Sequence, residues 1–188
     1  DRQNFATFDL DRRLRVTAAS VGGSTVRYRQ FDLDATVEVD LSGQQFSGGD
    51  PVLHLEYGGI LDSEADRRDP VLAKVSEESA FLLYEGKWFP TNGLYRDKAD
   101  MRLSVTAPPE WSIITDLEKS AGASYASSQP SYWGMVAAGK YTPTTVKSGA
   151  AEITVDTLRA SASDSAGDDG GGDELKAILR AAVERIQC

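Results

Sequence analysis

Apolar and polar residues alternate in short runs along most of this chain, and glycine or proline cuts the runs before they reach helical length. A period of two puts successive side chains on opposite faces of an extended strand, so each run specifies a half-buried β-strand rather than an amphipathic helix. The longest is unbroken from Phe31 to Leu41, where Phe31, Leu33, Ala35, Val37, Val39 and Leu41 alternate with Asp32, Asp34, Thr36, Glu38 and Asp40. Leu14, Val16 and Ala18 alternate with Arg13, Arg15 and Thr17. Leu53, Leu55 and Tyr57 oppose His54 and Glu56, and Met101, Leu103 and Val105 oppose Arg102, Ser104 and Thr106. Gly22-Gly23, Ser47-Gly48-Gly49-Asp50-Pro51 and Pro108-Pro109 supply the breaks.

Further short strands are expected at residues 81–84, 113–114, 132–138, 141–146 and 153–158, with a polar excursion at 61–70 and a loop over 121–130. Roughly eight to ten short antiparallel strands with regular turns define an all-β fold, an antiparallel β-sandwich over residues 1–158. Residues 159–172 change to Ser, Asp, Ala and consecutive glycines, the composition of a flexible linker. Leu175, Ile178, Leu179, Ala182, Val183 and Ile186 then recur at helical spacing, so an amphipathic helix is expected over 173–188. That helix either opens a following domain or packs back on the sandwich.

The net charge of -9 and the lack of clustered Lys and Arg argue against nucleic acid and against anionic membrane surfaces. No apolar run approaches the ~18 residues of a membrane helix. The chain does not begin with Met and reads as an excised piece or a processed product, which leaves the compartment open between cytoplasmic and bacterial periplasmic or secreted. The single cysteine, Cys188, excludes an intramolecular disulfide.

Chemistry is tightly bounded by the single histidine, His54. Alternation puts His54 and Glu56 on one strand face, but a zinc site needs three or four protein ligands, so His54 reads as a histidine on the water-facing side of its strand. Gly134, Gly139 and Lys140 imitate a phosphate-binding loop, yet Tyr141 stands where Ser or Thr would hold magnesium, and Pro143 follows where a helix must begin. Aligning Gly170 as the turn glycine of a calcium loop puts Ser165, Gly167 and Lys176 at ligand positions, which fails. No Gly-x-Ser-x-Gly elbow is present. The abundant carboxylates leave a carboxylate-pair hydrolase open. The aromatics Trp88, Tyr95, Trp111, Tyr125, Tyr132 and Trp133 suit either a core or a carbohydrate-binding surface.

Three tracts carry a family resemblance. Tyr57-Gly58-Gly59 is followed by Lys87-Trp88-Phe89-Pro90, and then by Lys98-Ala99-Asp100-Met101-Arg102-Leu103-Ser104-Val105. Their order and spacing resemble the N-terminal domain of the aminopeptidase N family of zinc metallopeptidases, the gluzincins. There a Tyr-x-Gly closes a strand, a Phe-Pro tract follows, and a Lys-Ala leads into a strand ended by proline. Val136-Ala137-Ala138-Gly139-Lys140-Tyr141 is similar to a later strand of that domain. Departures are clear: Thr91 stands at the family's Cys, Gly93 at its Asp, Tyr95 at its Pro and Gly86 at its Arg. Ser79 lies where a substrate-contacting Gln is frequent, so no substrate contact transfers.

The resemblance implies a saddle-like β-sandwich in which Tyr57, Gly59, Trp88, Phe89, Pro90, Lys98 and Ala99 are structural positions. It assigns no catalytic, cofactor-binding or metal-binding residue to this chain, which has neither Gly-x-Met-Glu-Asn nor His-Glu-x-x-His. It implies zinc in a catalytic domain of the parent polypeptide, that domain as the partner of this one, and peptides as the parent's substrate. The alternative is a stand-alone β-sandwich module binding carbohydrate or protein.

Overall fold

The computed structural model describes residues 4–44, 51–61, 72–93, 95–96, 98–132, 134–148 and 151–158. The expected linker at 159–172 and helix at 173–188 lie outside the described residues, as does nearly all of the 61–70 excursion. The chain divides into two compact units, Asp1–Thr106 with Ile114–Ala137, and Ala107–Ile113 with Ala138–Cys188.

In chain order the first unit begins with β1 (Phe5–Asp9), β2 (Leu14–Val21), β3 (Ser24–Thr25), β4 (Tyr28–Phe31), β5 (Thr36–Asp40) and β6 (Leu53–Gly59). These make two antiparallel three-stranded sheets, β1-β5-β4 and β3-β2-β6. Their inner faces meet in one core. Val37 and Val39 of β5 are fully buried, Leu14, Val16, Ala19 and Val21 of β2 are buried beside them, and Phe8, Tyr28, Leu53, Leu55 and Tyr57 pack around them. Burying each such aliphatic side chain is worth about 1.5–3 kcal/mol. The alternating strands therefore assemble as the antiparallel sandwich the sequence predicts. The Gln30 carboxamide stitches one sheet to the other, donating to the Leu14 carbonyl at 2.6 Å and accepting from the Val16 amide at 3.2 Å.

Three expectations are corrected. The unbroken alternation from Phe31 to Leu41 is a hairpin: Phe31 pairs with Thr36, Asp32 to Ala35 form the turn, and Leu33 is fully exposed at its tip. Asp32 and Asp34 are turn-forming residues that keep the period of two by coincidence. In β2 Thr17 faces outward as expected, but the period slips at a bulge between Val16 and Ala18, so Ala19 and Val21, rather than Ala18, face the core. The 121–130 loop contains a strand, described next.

The chain continues with β7 (Ala73–Val75), β8 (Ser79–Leu82), a 3-10 turn at Tyr84–Gly86, β9 (Arg102–Ser104), β10 (Ser112–Thr115), β11 (Glu118–Lys119), β12 (Ser124–Ala126) and β13 (Val136–Gly139). β12 lies between β11 and β9 and buries Tyr125 opposite Leu103. The order of a further sheet is β10-β13-β8-β7, and the boundary between the units passes within β10 and β13. The 132–138 expectation thus narrows to Val136–Gly139, all four residues buried. In the second unit, β14 (Tyr141–Ser148) and β15 (Ala151–Leu158) form a hairpin in continuous register from Tyr141 opposite Leu158 to Ser148 opposite Ala151.

Candidate functional site

The Trp88-Phe89-Pro90 tract leaves the 3-10 turn through Lys87, which adopts a left-handed backbone conformation at φ 51°. Gly86 before it is buried so tightly that a Cβ would lie 2.7 Å from the Leu72 carbonyl oxygen. That contact explains why glycine, with no side chain, stands here. The tract is tied to the end of β1: the Asp9 amide donates to the Thr91 carbonyl at 2.7 Å, and the Thr91 amide donates back at 3.1 Å. Lys87 Nζ approaches Asp9 Oδ1 at 3.2 Å, and the Asp11 amide donates to the Lys87 carbonyl at 2.9 Å.

An aromatic chain runs from this tract. Trp88 and Phe89 meet edge to face at 4.7 Å between ring centroids, Phe89 meets Tyr84 at 5.8 Å, Tyr84 meets Tyr95 at 5.7 Å, and Tyr95 meets Tyr132 at 5.9 Å. Lys98 Nζ lies 5.5 Å above the Tyr132 ring, within cation–π range. Ala99 pairs with Ser131 through two backbone hydrogen bonds of 3.0 Å. Trp88, Phe89, Pro90, Lys98 and Ala99 thus come into one neighbourhood. Tyr57 and Gly59 do not join it: Tyr57 packs on the sandwich core and Gly59 pairs with Leu14. The named positions therefore fall into two separate groups.

The other sequence candidates fall as follows. His54 Nε2 lies 3.5 Å from Glu56 Oε1 on the exposed face of β6. Among the described residues, no group of three or more His, Cys, Asp or Glu side chains comes together. The stretch that imitates a phosphate-binding loop runs into the buried strand Val136–Gly139, so its backbone amides serve a sheet rather than an open cradle. Trp133 and the acidic stretch at 164–174 lie outside the described residues.

Sequence reasoning missed one concave feature, a cleft of about 600 Å³ beside the 3-10 turn. Glu85 and Asp116 line it, with Leu83, Tyr84, Leu117 and Met135. The Tyr95 hydroxyl donates to Glu85 Oε1, and this bond holds the carboxyl below its usual range while pushing the Tyr95 phenol up. Asp116 Oδ1 accepts from the Met135 amide at 3.0 Å and from the Thr115 hydroxyl at 3.3 Å. No spacing signal marks these residues, because turns and strands far apart in sequence bring them together.

The fold recurs in solved structures of M1 zinc metallopeptidases. A two-domain M1 zinc metallopeptidase mutant bound to L-arginine matches with a TM-score of 0.58 and 18% identity over 94% of this chain. An M1 zinc metallopeptidase mutant from Deinococcus radiodurans bound to a Tyr-Ser-Ala substrate matches with a TM-score of 0.56 and 17% identity over 92% of this chain. The M1 zinc metallopeptidase from the same organism matches at 0.53 and 19% over 92%. The chain spans 44% of the length of each of these proteins. No protein-family model and no curated protein matches it. The resemblance carried by the three sequence tracts and the likeness of fold point to the same group of proteins.

Proposed function

We propose that this chain is the non-catalytic, N-terminal β-sandwich domain of an aminopeptidase N-like zinc metallopeptidase. It packs on the catalytic domain of the same polypeptide and helps wall the cleft that receives peptides. The observation that carries this reading is the fold shared over nearly the whole chain with M1 zinc metallopeptidases of more than twice its length. The ordered tracts at Tyr57-Gly58-Gly59, Phe89-Pro90 and Lys98-Ala99 support it independently.

Zinc in the parent would be held by residues beyond this chain, since one histidine cannot supply the three protein ligands a catalytic zinc requires. Bound there, zinc would polarise a peptide carbonyl or activate water. This domain's own contribution would be shape, with the end of β1 tied to the Trp88-Phe89-Pro90 tract by the paired Asp9–Thr91 hydrogen bonds.

The test is the polypeptide that contains this chain together with its downstream sequence. It is expected to carry a His-Glu-x-x-His motif and to release N-terminal residues from peptides. Chelation should abolish that activity and added zinc should restore it. A downstream sequence without the motif, or peptidase activity indifferent to chelator, would refute the reading. The second reading, a carbohydrate- or protein-binding module, draws on Tyr95, which is 49% exposed beside Tyr132. It requires saturable glycan or protein binding that Tyr95→Ala removes.

A further inference from the structure

We propose that the cleft lined by Glu85 and Asp116 binds an organic cation carried on an aliphatic stem, the chemistry of a lysine or arginine side chain. Its volume of about 600 Å³ is far larger than a bare ion needs and falls in the range of small-molecule clefts. Its two carboxylates come from different parts of the fold, Glu85 from the 3-10 turn and Asp116 from the position that follows β10. The remaining lining is apolar (Leu83, Tyr84, Leu117 and Met135) or neutral and polar, from three serines and a glutamine. Among the described residues, no Lys, Arg or His lines the cleft and neither carboxylate has a cationic partner.

Both carboxylates are oriented by protein donors, Glu85 by the Tyr95 hydroxyl and Asp116 by the Met135 amide and the Thr115 hydroxyl. Such fixed acceptors lower the ordering cost of binding. A neutral apolar occupant would strip water from two unpaired carboxylates with nothing in return. A bare divalent ion would fill only a small part of the cleft and would leave its apolar lining unused, and among the described residues no group of three or more His, Cys, Asp or Glu stands ready to hold one. A cation whose stem lies on Leu83 and Met135 satisfies both demands, and the Tyr84 ring adds a favourable aromatic surface for it. The inference rests on this chain's own residues and not on zinc chemistry in a parent enzyme.

The probe is agmatine, a guanidinium and an ammonium on a short aliphatic stem, titrated into the 188-residue chain while backbone amide shifts are followed by NMR. Saturable binding is expected, with the Leu117 and Met135 amides among those that move. Affinity should fall roughly tenfold or more in Glu85→Gln and also in Asp116→Asn, each removing a charged acceptor. The carboxamide oxygen of Asn can still accept from the Met135 amide, so Asp116→Asn tests charge with little change of shape. Glu56→Gln, on the exposed face of β6, controls for the protein's overall negative charge and should leave affinity unchanged. Lack of saturation, equal binding of neutral pentanamide, an equal loss in Glu56→Gln, or full affinity in either cleft variant would overturn the proposal.

Discussion

The indole Nε1 of Trp88 donates to the carbonyl oxygen of Gly134 at 3.1 Å, joining two tracts 46 residues apart. Trp88 also packs against the sandwich core, and Gly134 is buried closely: a Cβ would lie 2.9 Å from Met101 Cε and 3.1 Å from Phe89 Cε1, so the Met101 side chain would have to move to admit one. One contact thus joins the Trp-Phe-Pro tract to the segment that enters β13. Trp88→Phe keeps the aromatic packing and deletes the donor. We expect a loss of about 1–2 kcal/mol in urea unfolding with an unchanged m-value. An unaltered midpoint would show that the bond contributes nothing.

Gly58 and Gly59 are neighbours with opposite constraints. A Cβ on Gly59 would lie 2.1 Å from the Arg13 carbonyl oxygen, a backbone atom that can move only by breaking the Leu14–Gly59 register of β2 and β6. A Cβ on Gly58 meets nothing within 4 Å. Gly59→Ala should therefore cost at least ~2 kcal/mol, and Gly58→Ala should stay within about 0.5 kcal/mol of the parent. Comparable effects from the two, measured by chemical denaturation, would contradict the close approach.

How far the fold was legible depended on whether local pattern and tertiary pairing agreed. In β6, Leu53, Leu55 and Tyr57 face the core and His54 and Glu56 face water, as the alternation requires. In the Phe31–Leu41 run the same alternation misled, because Asp32 and Asp34 serve a turn as readily as an outer strand face, and Leu33 at the tip has no core to enter. β12 was invisible because Tyr125 is its only large apolar residue and serines and alanines surround it; its strand exists through pairing with β9 and β11. The cleft was less legible still. Glu85 and Asp116 are ordinary exposed-type carboxylates in sequence, and only the meeting of a 3-10 turn with the residues that follow β10 brings them to one cleft.

Thr91 stands where the resembled family has cysteine, and it is buried with its Oγ1 lacking any hydrogen-bond partner among the described residues. A buried hydroxyl without a partner retains the cost of losing its water. Thr91→Val, nearly the same shape, should leave stability unchanged or raise it by about 1 kcal/mol in thermal melting. A loss of ~1 kcal/mol or more would mean that the hydroxyl is satisfied, most simply by an ordered water.

Asp11 gives the fold a defined response to acid. Arg13 grips its carboxylate three ways, with Nη2 at 2.7 Å from Oδ2, Nε at 3.0 Å from Oδ1 and its backbone amide at 2.8 Å from Oδ1. Arg13 Nη2 also donates to the Ala73 carbonyl at 3.2 Å, so the pair braces β7. Burial is the largest single influence on the Asp11 carboxyl and pushes its pKa up. The Arg13 hydrogen bonds, with the charges of Arg13 and Arg12, outweigh burial together and hold the pKa below its ordinary 3.8. A carboxyl depressed on folding contributes stability that is fully present above its ordinary pKa and is lost as pH falls through the lower, folded-state value. Asp11→Asn should therefore be less stable than the parent at neutral pH. Its stability should fall less steeply as pH drops below 3.8, so that the two curves converge in acid. Urea midpoints measured across the acid range decide it: curves that stay parallel down to the lowest pH would assign the loss to packing rather than to the ionised pair.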